Sequence, residues 1–116
     1  MYDTNNIFAK VILGKVPVKK VYEDERILAF HDIKPIAEIH ILVIPKGEYI
    51  DYGDFVNKAS NEEIANYFKK IADIIKDLGL EEKDYKLLTN KGLAAGQTIF
   101  HFHTHIIAEK DKAGIK

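Results

Sequence analysis

The sequence predicts an α+β fold in which an antiparallel sheet of about five strands is covered by one long helix and one short helix. Three observations point there. One apolar stripe at helical spacing occupies 61–78, a run of short segments rich in β-branched residues precedes it, and a further pair of such segments follows it across a glycine-bearing loop.

Taken in chain order, Ile7, Phe8, Val11 and Ile12 predict a short amphipathic helix ending at Gly14, after which Pro17 forces an extended exit. Lys19 to Tyr22 and Arg26 to His31 predict two strands joined by the acidic turn Glu23-Asp24-Glu25. His40 to Ile44 predicts a third, reached through a connection that holds Pro35. The long helix covers Asn61 to Leu78. Ser60 and Glu63 supply a capping box, Ile64, Phe68, Ile71, Ile75 and Leu78 form the stripe with Tyr67, Ala72 and Ile74 widening it, and Gly79 supplies the left-handed stop. Tyr85 to Asn90 and Phe100 to Ala108 then predict an antiparallel pair joined by the loop KGLAAGQT.

The length fits one domain, residues 1–116, without repeat or linker. Apolar residues make up 47% and charged residues 30%, a balance that suits a folded soluble domain rather than a disordered or membrane-embedded one. The longest apolar runs, such as IHILVIP, are too short to cross a bilayer, and MYDTNNIFAK lacks the pattern of an export signal. These features predict a cytoplasmic protein with no membrane partner. A net charge of −1 argues against a nucleic-acid polymer as partner but is compatible with one small anion. The absence of cysteine excludes disulfides, thiolate nucleophiles and thiolate metal sites.

Three of the five histidines stand at every second position of HFHTHII. On a strand His101, His103 and His105 share one face, and three imidazoles side by side are costly to bury unless each ring nitrogen finds a partner. Zinc ligation is one use of such spacing. Nucleophilic catalysis is another. The single serine is accounted for as the helix cap and cysteine is absent, which argues against a serine or cysteine nucleophile, and histidine can itself serve as one. Attack on phosphorus by histidine needs a neutral ring whose far nitrogen is held as a donor. His103, with a histidine on either side, is the candidate. In the loop ahead of it, Gly92 and Gly96 permit backbone shapes that expose N–H groups, and Gln97 and Thr98 add side-chain donors, as a phosphate site requires. A plain hairpin loop is the competing reading.

HFHTHII resembles the His-x-His-x-His signature of the histidine triad (HIT) family of nucleotide hydrolases and transferases. IFAKVILGKVPVKKVYEDERILAFHDIKPIAEIHILVIPK and LTNKGLAAGQTIFHFHTH are similar to the two halves of its Hint branch of purine nucleoside phosphoramidases. The resemblance implies that His103 takes the nucleotidyl group, that His101, His105 and His40 surround the phosphate, and that Asn90, Gly96, Gln97 and Thr98 hold the phosphate or leaving group. It implies a ribose contact at Asp32 and a purine slot built from Ile7, Phe8, Val11, Phe30, His31, Ile33 and Leu42. It also implies a homodimer, no cofactor and no metal.

Three departures from the pattern bear on this. Thr104 stands where the family has an apolar residue, Thr98 replaces a serine, and the tail AEKDKAGIK lacks an aromatic ending. The expected activity is hydrolysis of a purine nucleoside phosphoramidate or related nucleotide through nucleotidyl-His103. The alternatives are a nucleotide-binding regulatory protein with little turnover and a dinucleoside polyphosphate hydrolase of the same family.

Overall fold

A computed structural model describes residues 1–109, so the expectations attached to the tail beyond Glu109 lie outside the described residues. The chain runs α1 (Ile7–Ile12), β1 (Lys20–Glu23), β2 (Ile27–His31), β3 (Ile39–Pro45), α2 (Tyr52–Lys58), α3 (Asn61–Asp77), β4 (Lys86–Leu88), a 3-10 turn (Leu93–Ala95) and β5 (Thr104–Ala108). The strands form one antiparallel sheet in the order β1-β2-β3-β5-β4. Among the described residues no helix is long and apolar enough to cross a membrane.

Alternation along the strands separates two apolar layers. Ile27, Ala29, Ile41, Val43, Ile106 and Ala108 pack with Phe55 of α2 and with Tyr67, Ile71, Ile74 and Ile75 of α3. Leu28, Phe30, Leu42 and Ile44 pack on the other side against Phe8 and Val11 of α1. His40 and His105 belong to this second face, because His105 lies opposite Leu42 and His40 lies opposite Ile107.

Both predicted helix ends close as glycine stops. Gly79 (φ +76°) donates to Lys76 O while Leu80 N donates to Ile75 O, and at α1 Gly14 (φ +77°) and Lys15 repeat the pattern on Val11 and Lys10. Asp24 shapes the β1–β2 turn by accepting from the N–H groups of Arg26 and Ile27 at 2.8 Å each.

Four expectations are corrected. The capping box is only half made: Ser60 Oγ accepts from Glu63 N at 3.0 Å, but the Glu63 carboxylate accepts from the Tyr49 hydroxyl. Phe68, expected in the stripe, is 43% exposed, while Tyr67 and Ile74, expected to widen it, are buried. A third helix, α2, is not among the expected elements, since its seven residues carry one buried apolar side chain, Phe55, and are capped by Asp51. Finally, β5 begins at Thr104 rather than Phe100. In the β3–β5 register Phe102 would oppose Pro45, which has no N–H to donate, and Phe102 N pairs with Tyr49 O at 2.7 Å instead.

Candidate active site

Leaving the ladder places His101 to His103 outside the strand, held by the Phe102 N–H on Tyr49 O and by the ring bonds of the two histidines, with the alternation of faces preserved. Phe102 enters the α3 side and stacks on Phe55 with ring centroids 4.8 Å apart. His101 and His103 enter the other side, beneath Phe8 of α1.

His101 is 0% exposed, and both ring nitrogens are engaged. Nε2 lies 2.7 Å from Pro45 O, and because a carbonyl only accepts, Nε2 carries the proton. Nδ1 is then the acceptor for the Tyr2 hydroxyl at 2.6 Å. Burial drives the pKa of His101 down to about 4, so the ring is neutral. It has no nitrogen left for a ligand. The expected place of this side chain is beside phosphate oxygens; in the structure it is a brace.

His103 is 7% exposed, and its Nδ1 lies 2.6 Å from the carbonyl of His101. The same argument puts the proton on Nδ1 and leaves Nε2 as a lone pair. Nε2 has no hydrogen-bond partner among the described residues, and it is not a sealed atom, since no buried side-chain nitrogen there lacks a partner. Burial lowers the pKa, which keeps the ring neutral below the ordinary histidine range. Thr89 Oγ1 donates to the carbonyl of His103 at 2.7 Å and fixes the peptide on its other side.

His40 and His105 are diagonal neighbours on adjacent strands and touch through Nε2 and Nδ1 at 2.8 Å. The N–H of Ile36 donates to His40 Nδ1, so the His40 proton sits on Nε2 and points to His105. His105 Nδ1 therefore accepts, and its own proton lies on Nε2, outward. Burial, reinforced by the neighbouring imidazoles, lowers the pKa of His105 to about 4. Burial also lowers that of His40, against an opposing pull from Asp32, whose Oδ2 lies 3.4 Å from His40 Nε2.

Among the described residues Asp32, His40 and His105 could hold a metal ion, each with one donor atom within 4.8 Å of the others. Their geometry serves a shared proton better. Two ligands of one tetrahedral zinc ion stand about 3.3 Å apart, whereas the 2.8 Å between these nitrogens is a hydrogen bond whose proton the Ile36 N–H fixes on His40. The other carboxylate oxygen of Asp32 accepts from Lys34 N at 2.8 Å, so this residue shapes its turn as well as facing His40.

The loop before the triad differs from the expectation of free donors. Gln97 is 2% exposed: its Oε1 accepts from Gly92 N at 2.8 Å, and its amide donates to Ile50 O and Ile99 O at 2.8 and 3.1 Å. Gly96 N bonds to Leu93 O, and Asn90 Nδ2 donates to Ala95 O. Gln97 is thus a brace, and the two glycine N–H groups close the loop on itself. Glycine is favoured at 96 because φ is +96°, a backbone shape that residues with a side chain rarely adopt. Thr98 is exposed and makes no hydrogen bond among the described residues, which leaves its hydroxyl open to a ligand.

A cavity of about 250 Å³ lies between α1 and the sheet. Ile7, Phe8, Val11, Phe30, His31, Asp32, Ile33 and Leu42 all line it, joined by Val16, Pro17, Val18 and Ile99. Phe8 ties it to the triad, with its ring 5.0 Å from that of His103 and nearly perpendicular to it. An apolar slot with one carboxylate at the rim and an unprotonated imidazole nitrogen nearby is shaped for a flat ring attached to a hydroxylated and anionic group. Sequence reasoning missed Tyr2, Pro45 and the Ile36 N–H. The last two act through backbone atoms, which carry no residue signature, and Tyr2 is 99 positions from its partner.

Residues 14–112 match the HIT domain family. A HIT-like protein of Rickettsia prowazekii is 56% identical over 99% of this chain and 96% of its own length. Among solved structures, a HIT family hydrolase of Clostridium thermocellum is 38% identical with a TM-score of 0.81, covering 97% of this chain and 96% of that one. A histidine triad nucleotide-binding protein of Candida albicans is 32% identical with a TM-score of 0.82, over 94% of this chain and 78% of that one.

Proposed function

The chain belongs to the HIT domain family, and from that premise we propose that it is a nucleotidyl hydrolase acting on purine nucleoside phosphoramidates or related nucleotides. The observation that carries this reading is the state of His103: Nδ1–H bound to the His101 carbonyl, Nε2 unprotonated and unpartnered, and the ring 5.0 Å from that of Phe8, which lines the apolar cavity. That is the form of imidazole that attacks phosphorus.

The purine enters between α1 and the sheet, and Asp32 at the rim receives the ribose hydroxyls. His103 Nε2 attacks the α-phosphorus and forms a P–N bond. The bond to the leaving amine breaks with its electron pair on nitrogen, which takes a proton from solvent. The outward Nε2–H of His105 donates to a non-bridging oxygen, and the Asp32–His40 pair keeps that donor in place. Asn90 and Gly96 shape the loop, and Thr98 offers its hydroxyl to the leaving group. Water then attacks phosphorus and gives up a proton to solvent, the P–N bond breaks with its electron pair returning to Nε2, and the nucleoside monophosphate is released. No step calls for a cofactor.

The active form is a homodimer. β4 is a short edge strand, and an apolar groove beside it, lined by Tyr52, Phe68, Leu87 and Leu88, supports burial against a second copy. Sedimentation equilibrium is expected to give twice the monomer mass.

Intact-mass spectrometry tests the mechanism. Protein mixed with adenosine phosphoramidate and quenched in alkali should carry an acid-labile AMP adduct that His103→Ala lacks. The absence of both adduct and AMP release in the wild type would overturn the proposal and leave a nucleotide-binding protein with little turnover.

A further inference from the structure

We propose that Tyr2 is a positioning residue for the nucleophile, acting through His101 on the tautomer of His103; this rests on the reading of His103 as nucleophile. The geometry is a chain of three hydrogen bonds. Tyr2 donates to His101 Nδ1 at 2.6 Å, His101 Nε2–H donates to Pro45 O at 2.7 Å, and the His101 carbonyl receives His103 Nδ1–H at 2.6 Å. His101 is thereby held from both ring nitrogens, and the peptide that fixes the nucleophile's proton belongs to that same residue.

The arm that brings Tyr2 there is itself tied down. Asp3 O accepts from both the backbone N–H and the side-chain amide of Asn6, and Asn6 Oδ1 caps α1 at Ala9 N. α1 in turn sets Phe8 against both His101 and His103. Tyrosine suits the position because its hydroxyl stands far enough from the backbone to reach a buried ring.

Without the hydroxyl, Nδ1 of a fully buried imidazole loses its donor, and an unpartnered buried nitrogen is costly. The ring relieves this by changing tautomer or rotating, and either movement releases Pro45 O. The peptide of His101 then loses its anchor, and a share of His103 moves its proton to Nε2. That form cannot attack.

Tyr2→Phe keeps the ring and removes only the donor. The expected result is kcat lower by roughly tenfold with KM unchanged. Histidine ¹⁵N spectra of the unliganded protein should also show His103 partly protonated at Nε2. Ser60→Ala, which loosens α3 far from the arm, controls for lost stability and should keep wild-type kcat and wild-type histidine signals. Wild-type kcat in Tyr2→Phe, a change in KM alone, or a lower kcat with unchanged histidine signals would each overturn the proposal. The spectra need no substrate. Absence of turnover in the wild type therefore strikes the nucleophile reading, and unaltered spectra in Tyr2→Phe strike the clamp.

Discussion

Thr104 and His103 are chain neighbours of similar burial, 5% and 7% exposed, yet they face opposite sides of the sheet and their polar atoms end differently. On the α3 side the Tyr67 hydroxyl donates to Val43 O and accepts from Thr104 Oγ1, both at 2.8 Å, so the group is closed. Burial raises the pKa of Tyr67 and keeps its proton in place. On the α1 side every ring nitrogen is also assigned, except that the chain of bonds leaves Nε2 of His103 and Nε2–H of His105 pointing outward. Both faces bury polar groups; only one stops a bond short of closure. The closed network supports packing, and the open one is placed for chemistry.

Substitutions on the two faces should therefore separate turnover from stability. The largest effect expected is from His103→Ala, which lowers turnover by on the order of 10³-fold or more while nucleotide binding, read by calorimetry, survives. Phe55→Ala, in the aromatic cluster of Phe55, Tyr67 and Phe102, should cost roughly 3–5 kcal/mol in urea denaturation and leave the kcat of the folded fraction unchanged. Loss of kcat beyond loss of folded protein would break the separation of the faces.

Acid sharpens the comparison, because the buried histidines whose pKa values are lowered lie on one face. His101 and His105 have folded-state pKa values of about 4, whereas an unfolded histidine titrates near about 6.5. As pH falls through that interval the unfolded chain binds protons first. Stability is therefore full above about 6.5 and declines toward about 4. The acid limb of kcat/KM should lie below about 6.5, in the direction set by the burial of His103. A limb at or above that value would mean a solvated nucleophile. Melting and rate profiles over the same buffers measure both.

A smaller loss, about 1–3 kcal/mol, is expected for Tyr67→Phe, which leaves Thr104 Oγ1 and Val43 O without their partner; kcat should not change. The smallest, about 1 kcal/mol, is expected for Ser60→Ala, read as a lower melting temperature.

Local signals in the sequence determined the strands near their observed positions, the Ser60 and Gly79 ends of α3, the Gly14 stop of α1 and the shared face of the triad. Each depends on neighbours within a few residues, through periodicity, a cap or a required positive φ. The family resemblance added the residues that line the cavity, which come from α1, β2, β3 and the turn after β2. Tertiary structure alone decided which of those groups keep a free atom. Gln97, His101 and His103 look equally able to bind a ligand in the sequence. Contacts with Ile50, Pro45 and Tyr2 engage the first two, and a backbone carbonyl engages only one nitrogen of the third. The physical reason is that a hydrogen bond depends on distance and direction between groups far apart in the chain, and the protonation of an imidazole follows from the bonds it receives.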